Sequence, residues 1–254
     1  MKYIVLSFDD SMLDFKNVAL PLLNNYGFKC SINTITGFVD KTIKQETKYL
    51  SIEDIVELDK NGFEIAAHSN SHIKPITIED LEICTNKIRK WIGNKPLGVI
   101  APFSKAPSKE TAEHIKNHYL YFADYYSKRC ETSFSYKVLR LFNHFFHSKK
   151  RDLLVSNAMY YYSILDVKKG MTFKRLPANR NNIPSIIIRS IKLMKNQCCL
   201  SICFHSIVHN LSEKVEFPFG AWTVSEFERL LKFLKSNKGI KVLTQKEMFD
   251  VEQN

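Results

Sequence analysis

What most constrains the fold of this chain is an alternation that runs nearly end to end. Short apolar runs rich in Val, Ile and Phe give way to stretches with helical periodicity, and then to apolar runs again. Residues 3–8 read as a strand, and a helix from about 17 to 26 follows, closed by Gly27 as a left-handed cap, with Pro21 in its early turn or at a kink. Residues 28–34 are the next strand. Ser51 with Asp54 resembles a capping box opening a helix that stops before Gly62, and residues 63–67 then form a short strand. A helix over 77–91, a strand over 97–101, a helix opened by Pro107 and Ser108, and a strand over 197–204 continue the pattern. Thr223 and Glu226 make a fuller capping box, ahead of Val224, Phe227, Leu230, Leu231 and Leu234 on one helix face, and 240–243 closes as a strand. Repeated βα units predict a parallel sheet or a barrel. With 254 residues, 44% of them hydrophobic, and no linker or repeat, one domain over 1–254 is expected.

The formal charge of +11 favours an anionic partner: a phosphorylated or nucleotide-linked substrate, an anionic membrane surface, or nucleic acid. No motif with groove-reading geometry is present, so nucleic acid is not expected. No stretch approaches the ~20 apolar residues of a membrane span. The first strand begins at once, without a signal-like apolar region, which predicts a cytoplasmic protein, soluble or peripheral to the inner face of a membrane. Six cysteines, Cys30, Cys84, Cys130, Cys198, Cys199 and Cys203, lack CxxC spacing and read as buried free thiols.

The residues able to do chemistry stand just after strands, where barrel enzymes assemble their sites. Asp9 and Asp10 end the first strand. Being adjacent, they diverge, so one can bind a metal while the other serves as a base, although such a pair could equally cap a helix. His68 and His72, four apart, can reach one ion. His114 and His118 have the same spacing inside a helix, follow no strand, and read as a solvated face. His205 ends the strand over 197–204; alone it would read as a core histidine, but its placement aligns it with the other motifs. His144, His147 and His209 read as surface or local hydrogen-bonding residues.

Four strings carry a resemblance. Ser-Phe-Asp-Asp-Ser at 7–11, His-Ser-Asn-Ser-His at 68–72, Ala-Pro-Phe-Ser-Lys at 101–105 and Ser-Ile-Cys-Phe-His-Ser at 201–206 resemble, in order, the TFDDG, HSxxH, proline-aromatic and strand-His motifs of the polysaccharide deacetylase family, the NodB-homology domain. The resemblance implies a distorted (β/α) barrel and hydrolytic removal of an acyl group from an amino sugar. It implies that Asp10, His68 and His72 hold a divalent metal, usually zinc. It also makes Asp9 the base, has the Phe103 backbone N–H and the metal meet the oxyanion, and has His205 protonate the departing amine. The substrate expected from it is an acylated amino sugar, N-acetylated in the first instance, of cell-surface polysaccharide assembly, and the positive charge leaves room for a nucleotide- or lipid-linked one.

Three departures accompany it. Ser11 stands where a glycine is usual. Ile100 stands where the third motif begins with an arginine that orients the base; Arg175, with Arg180 as runner-up, is the replacement expected from a later segment, against an ordinary surface arginine. The fourth motif, with acidic residues and a tryptophan, is not recognisable, and Trp222 comes too late in order. A basic aromatic insert at about 124–170 matches nothing. Within it, 135–148 would make an amphipathic helix that packs on the barrel, forms a dimer contact, or touches an anionic membrane. The rival to catalysis is an inactive, deacetylase-like sugar-binding or scaffold subunit.

Overall fold

The structure, a computed structural model, describes residues 1–43, 46–124, 157 and 160–251. The amphipathic stretch at 135–148, together with Cys130, His144 and His147, lies outside the described residues. The strands are β1 (Lys2–Phe8), β2 (Ser31–Thr34), β3 (Thr42–Ile43), β4 (Glu46–Thr47), β5 (Glu64–Ala67), β6 (Gly98–Ile100), β7 (Tyr121–Ala123), β8 (Tyr161–Ser163), β9 (Met171–Phe173), β10 (Leu176–Pro177), β11 (Cys198–Phe204), β12 (Ser206–Val208), β13 (Ala221–Thr223) and β14 (Ile240–Leu243). The helices are α1 (Leu20–Tyr26), α2 (Ile52–Lys60), α3 (Ile78–Ile92), α4 (Lys109–His118), α5 (Pro184–Leu193) and α6 (Val224–Ser236).

Local chemistry sets these boundaries. Ser51 and Thr223 each form a full capping box, with Asp54 and Glu226, and so satisfy N–H groups that α2 and α6 would otherwise leave unpaired. Thr77 and Ser108 cap α3 and α4. Gly27 and Gly93 end α1 and α3 at φ 69° and 78°, where a Cβ would be strained. The chain enters α1 through a π turn, Phe15–Ala19, and Pro21 lies in the first turn of α1. No described helix is long and apolar enough to cross a membrane.

Ten strands form one sheet, along the path β10-β11-β1-β2-β5-β6-β7-β9, with β14 added to β1 and β8 added to β11. Every pairing in that path is parallel, and β8 is the antiparallel exception in the sheet. The two ends of the path, β9 and β10, are separated in the chain only by Lys174 and Arg175, so the sheet curls until it is nearly closed into a barrel. The seam of that barrel is therefore the place where Arg175 sits.

Strand alternation divides the residues between the two faces. Ile4, Leu6 and Phe8 of β1 and Leu200, Ile202 and Phe204 of β11 join the large apolar cluster with α6 residues Phe227, Leu230, Leu231 and Leu234. Val5, Cys199, Ile100, Tyr121 and Ala123 form a second, smaller cluster on the opposite face, inside the barrel. The inside is partly polar. Near its N-terminal end Glu64, 2% exposed, accepts from Ser31 Oγ (2.7 Å), Tyr121 Oη (2.9 Å) and the Lys246 N–H (2.8 Å). Gly98 is paired with Tyr121, and a Cβ on Gly98 would fall inside the Tyr121 ring. Gly98→Ala is therefore expected to expel that ring and cost about 1–3 kcal/mol through overpacking. An unchanged denaturation midpoint would contradict it.

Candidate active site

Continuing the inward parity of β1 beyond Val5 gives Ser7 and then Asp9, and on β11 it gives Ser201, Cys203 and, one step beyond, His205. On β5 it gives Ala66 and His68. These side chains converge at the C-terminal ends of the strands, on a cavity of about 530 Å³. The backbone bends sharply there. Of the nine described non-glycine residues with positive φ, seven (Asp10, Ser11, Ser69, His72, Phe103, Ser104 and Asp124) lie in the turns that leave these strands, so conformational strain is concentrated at the site. Ser11 has φ 54°, a region glycine enters at least cost, which accounts for the glycine usual at this position of the motif.

Asp10, His68 and His72 form one group. Asp10 Oδ1 lies 3.5 Å from His68 Nε2 and 3.7 Å from His72 Nε2. These spacings match neighbouring corners of a tetrahedron with bonds of about 2.1 Å, which are about 3.4 Å apart, so a carboxylate and two imidazoles fit a small divalent cation. His68 Nδ1 faces the Ile100 carbonyl at 3.2 Å. A carbonyl can only accept, so Nδ1 carries the hydrogen and the Nε2 lone pair is aimed at the group. The loop bearing His72 is held from behind. Asp80 accepts from the N–H groups of Asn70 (2.9 Å) and Ser71 (3.0 Å), and Ser69 Oγ accepts from that of His72 (2.8 Å). The His72 ring stacks on Phe103 with centroids 4.4 Å apart. Burial works against a charged His68, yet Asp10 and Asp9 push its pKa up; burial and His68 together push His72 down.

Asp9 belongs to a second group. Its carboxylate receives a two-pronged contact from Arg175, Nη1 to Oδ1 at 2.7 Å and Nη2 to Oδ2 at 2.8 Å. Asn33 Nδ2 adds a third donor at 2.6 Å and Cys203 Sγ a fourth at 3.3 Å. Burial opposes ionisation of Asp9, but the Arg175 guanidinium overcomes it and holds the carboxyl well below the ordinary carboxylate range, helped by His68 and His205. Arg175 is itself 3% exposed. Its Nη1 also donates to Ser7 Oγ (3.0 Å), its backbone N–H to Asp124 Oδ1 (3.0 Å), and its Nε and Nη2 to Asp124 Oδ2. The guanidinium thus lies between two carboxylates at the barrel seam. Arg180 is elsewhere engaged, paired with Glu226 at 2.7 Å.

His205 faces the same cavity, edge-on to Phe217 with centroids 5.0 Å apart, and its ligating atoms lie within 4.8 Å of those of Asp9 and Cys203. Phe103 sits in a turn at φ 53° and is 56% exposed. His114 and His118 stack on each other on α4, with His114 on Glu82, and stand in neither metal-type group found among the described residues. Trp222 is fully buried against Phe204. The structure thus brings Asp9, Asp10, His68, His72, Phe103, Arg175 and His205 to one cavity.

Four partners of this constellation were given no role by the sequence: Ser7 and Cys203, which lie inside the motif strings, and Asn33 and Asp124, which lie outside them. Three of them share a signal, a polar residue at every second position of an otherwise apolar strand, as in Ser7 and Asp9, Ser31 and Asn33, or Ser201 and Cys203. Asp124, at the end of β7, supplies an acidic partner for the arginine although no fourth motif is recognisable in the sequence.

Comparison with known proteins agrees with this geometry. Residues 1–123 match the model of the polysaccharide deacetylase family. Over this stretch, just under half of its length, the chain is similar to the polysaccharide deacetylase family. The matched region carries the Asp9–Asp10 and His68–His72 strings and ends with β7. The solved family 4 acetyl xylan esterase from Clostridium thermocellum, in complex with a cobalt ion, superposes with a TM-score of 0.54 at 13% identity, covering 98% of this chain and 90% of that one. The Xyl-CE4 domain of a multidomain xylanase from the hindgut metagenome of Trinervitermes trinervoides gives 0.52 at 16% identity, with 98% and 90% covered. The barrel therefore extends through the half of the chain that the family model does not match. A polysaccharide deacetylase from Bacillus cereus shares 22% identity over 47% of this chain, at a TM-score of 0.41, and only 39% of its own length is spanned. No curated protein matches the chain.

Proposed function

We propose that this chain is a metal-dependent hydrolase of the polysaccharide deacetylase kind that removes an acyl group, N-acetyl in the first instance, from an amino sugar used in cell-surface polysaccharide assembly. The observation that carries this is the pairing, in one cavity, of an Asp-His-His group with metal-ligand spacing and an ionised Asp9 clamped by Arg175. Asp10, His68 and His72 would hold the metal, a divalent ion such as zinc that suits imidazole and carboxylate donors, which would supply a Lewis acid for the acyl carbonyl and lower the pKa of water.

In this mechanism the chain's own residues perform the proton transfers. Asp9, fixed in the plane of the guanidinium fork, takes a proton from the attacking water. The Phe103 backbone N–H, in the positive-φ turn beside His72, is the donor for the developing oxyanion. His205 gives a proton to the departing amine nitrogen. The exposed Phe217 ring offers an apolar surface for the C–H face of a sugar ring.

The test is acetate release from N-acetylglucosamine oligomers and, in parallel, from an O-acetylated xylan, which separates amide from ester specificity. His205→Ala is expected to lower turnover about 10²–10⁴-fold, the range of a general acid. Undiminished turnover in that variant would remove His205 from the mechanism.

A further inference from the structure

We propose that the mouth of this cavity recognises an anionic group of the phosphodiester or diphosphate class, carried by the sugar, through Lys41 and Lys74. The Lys41 ammonium lies over the Phe38 ring and the Lys74 ammonium over the Phe103 ring, each 4.6 Å from the centroid. Both rings line the cavity and both contact the ring of His72, with centroids 6.2 Å and 4.4 Å away. The two cations therefore stand one ring beyond the proposed ligand group, each over a different aromatic ring of the cavity lining.

Neither has a carboxylate partner among the described residues. The carboxylates lining the cavity are already engaged: Asp9 and Asp124 with Arg175, Asp10 with His68 and His72, and Glu216 with the Tyr49 hydroxyl at 2.9 Å. Two exposed ammonium groups, their stems held on aromatic faces, thus remain unneutralised at the mouth of a chain with formal charge +11. Cations so placed add a focused positive potential where a ligand enters. Two separated positive charges suit an extended, doubly charged group better than a single carboxylate, which is why a diphosphate is favoured. The same diphosphate could link the sugar to a nucleoside or to a polyprenyl chain. The sugar in this inference rests on the proposed acyl-sugar hydrolysis, whereas recognition of the anion does not, so binding is measured apart from turnover.

The experiment is calorimetric titration of the full chain with three probes: uridine diphospho-N-acetylglucosamine, N-acetylglucosamine diphosphate-linked to a short polyprenyl chain in neutral detergent, and the neutral tri-N-acetylchitotriose. Wild type is compared with the double variant K41Q/K74Q at low and physiological salt. At least one diphospho-sugar is expected to bind about tenfold more tightly than the neutral oligomer, an advantage that weakens with salt. The advantage should disappear in K41Q/K74Q while the unfolding midpoint stays that of wild type. Whichever diphospho-sugar binds better identifies the source. Equal binding of charged and neutral probes by wild type, no binding of any probe, or a preference that survives in K41Q/K74Q overturns the proposal. A lysine-dependent preference without acetate release from any probe leaves anion recognition standing and removes the hydrolase; acetate release without the preference does the reverse.

Discussion

Arg175→Met is expected to cost about 3–5 kcal/mol of stability, the range seen when one partner of a buried ion pair is removed and the other is left behind. The effect is large because two carboxylates depend on this one cation. Asp9 and Asp124 are both bound to a guanidinium whose side chain is fully buried, and burial disfavours the charged form of Asp9 once it is gone. Arg175→Lys restores a charge but not the planar fork that meets both Asp9 oxygens at 2.7 and 2.8 Å, so it should recover only part of the loss. Chemical denaturation of the two variants checks the order wild type, Lys, Met. A Met variant with wild-type stability would show that the seam is held by something other than this ion pair. Because Arg175 touches none of Asp10, His68 or His72, both variants should still bind metal when folded.

Asp9→Asn is expected to reduce acyl hydrolysis by about 10²–10⁴-fold, the contribution of a positioned base, while leaving metal binding intact. The separation follows from the geometry. Asp9 faces inward to Arg175, Asn33 and Cys203, whereas Asp10, the next residue, turns at φ 71° toward the two histidines. Asparagine has nearly the shape of aspartate, but its amide nitrogen would oppose an Arg175 donor, and its oxygen cannot take a proton from water. Arg175 keeps Asp124 as a counter-charge, so the stability loss should be smaller than in Arg175→Met. Acetate release and metal content measured on the same preparation decide it. Loss of both together would mean that Asp9 is itself needed for the ligand group.

Much of the architecture was legible because it is written locally. Alternation marked β1, β2, β5, β6 and β11 as strands, although β2 proved shorter than the run at 28–34 suggests, and the capping residues Ser51, Thr77, Ser108 and Thr223 fixed where helices begin. His68, His72 and the acidic pair were legible because they stand where strands end. The strands β7 to β10 were not. Each has two or three residues, too few to show a period, and α5 begins without a capping side chain and contains three consecutive isoleucines, a β-like signature. Contacts within the site were hardest to read because they join positions far apart in the chain. Ser7 meets Arg175 across 168 residues, and Asp9 meets Cys203 across 194. Arg175 was accessible only through a charge argument: Ile100 leaves the base without its usual arginine, so a cation had to come from elsewhere. Asp124 had no such argument, since its need arises only once Arg175 is seen to be buried.

The most direct measurement is the divalent metal bound to protein purified without chelators and without a histidine tag, for wild type, His68→Ala and His72→Ala. The proposed site predicts near-stoichiometric zinc or a similar ion in wild type and its loss in both variants, with His114→Ala unchanged as the control of equal spacing on α4. Wild type that binds no metal even after reconstitution, or variants that keep it, would contradict a hydrolase built on Asp10, His68 and His72 and favour a sugar-binding barrel.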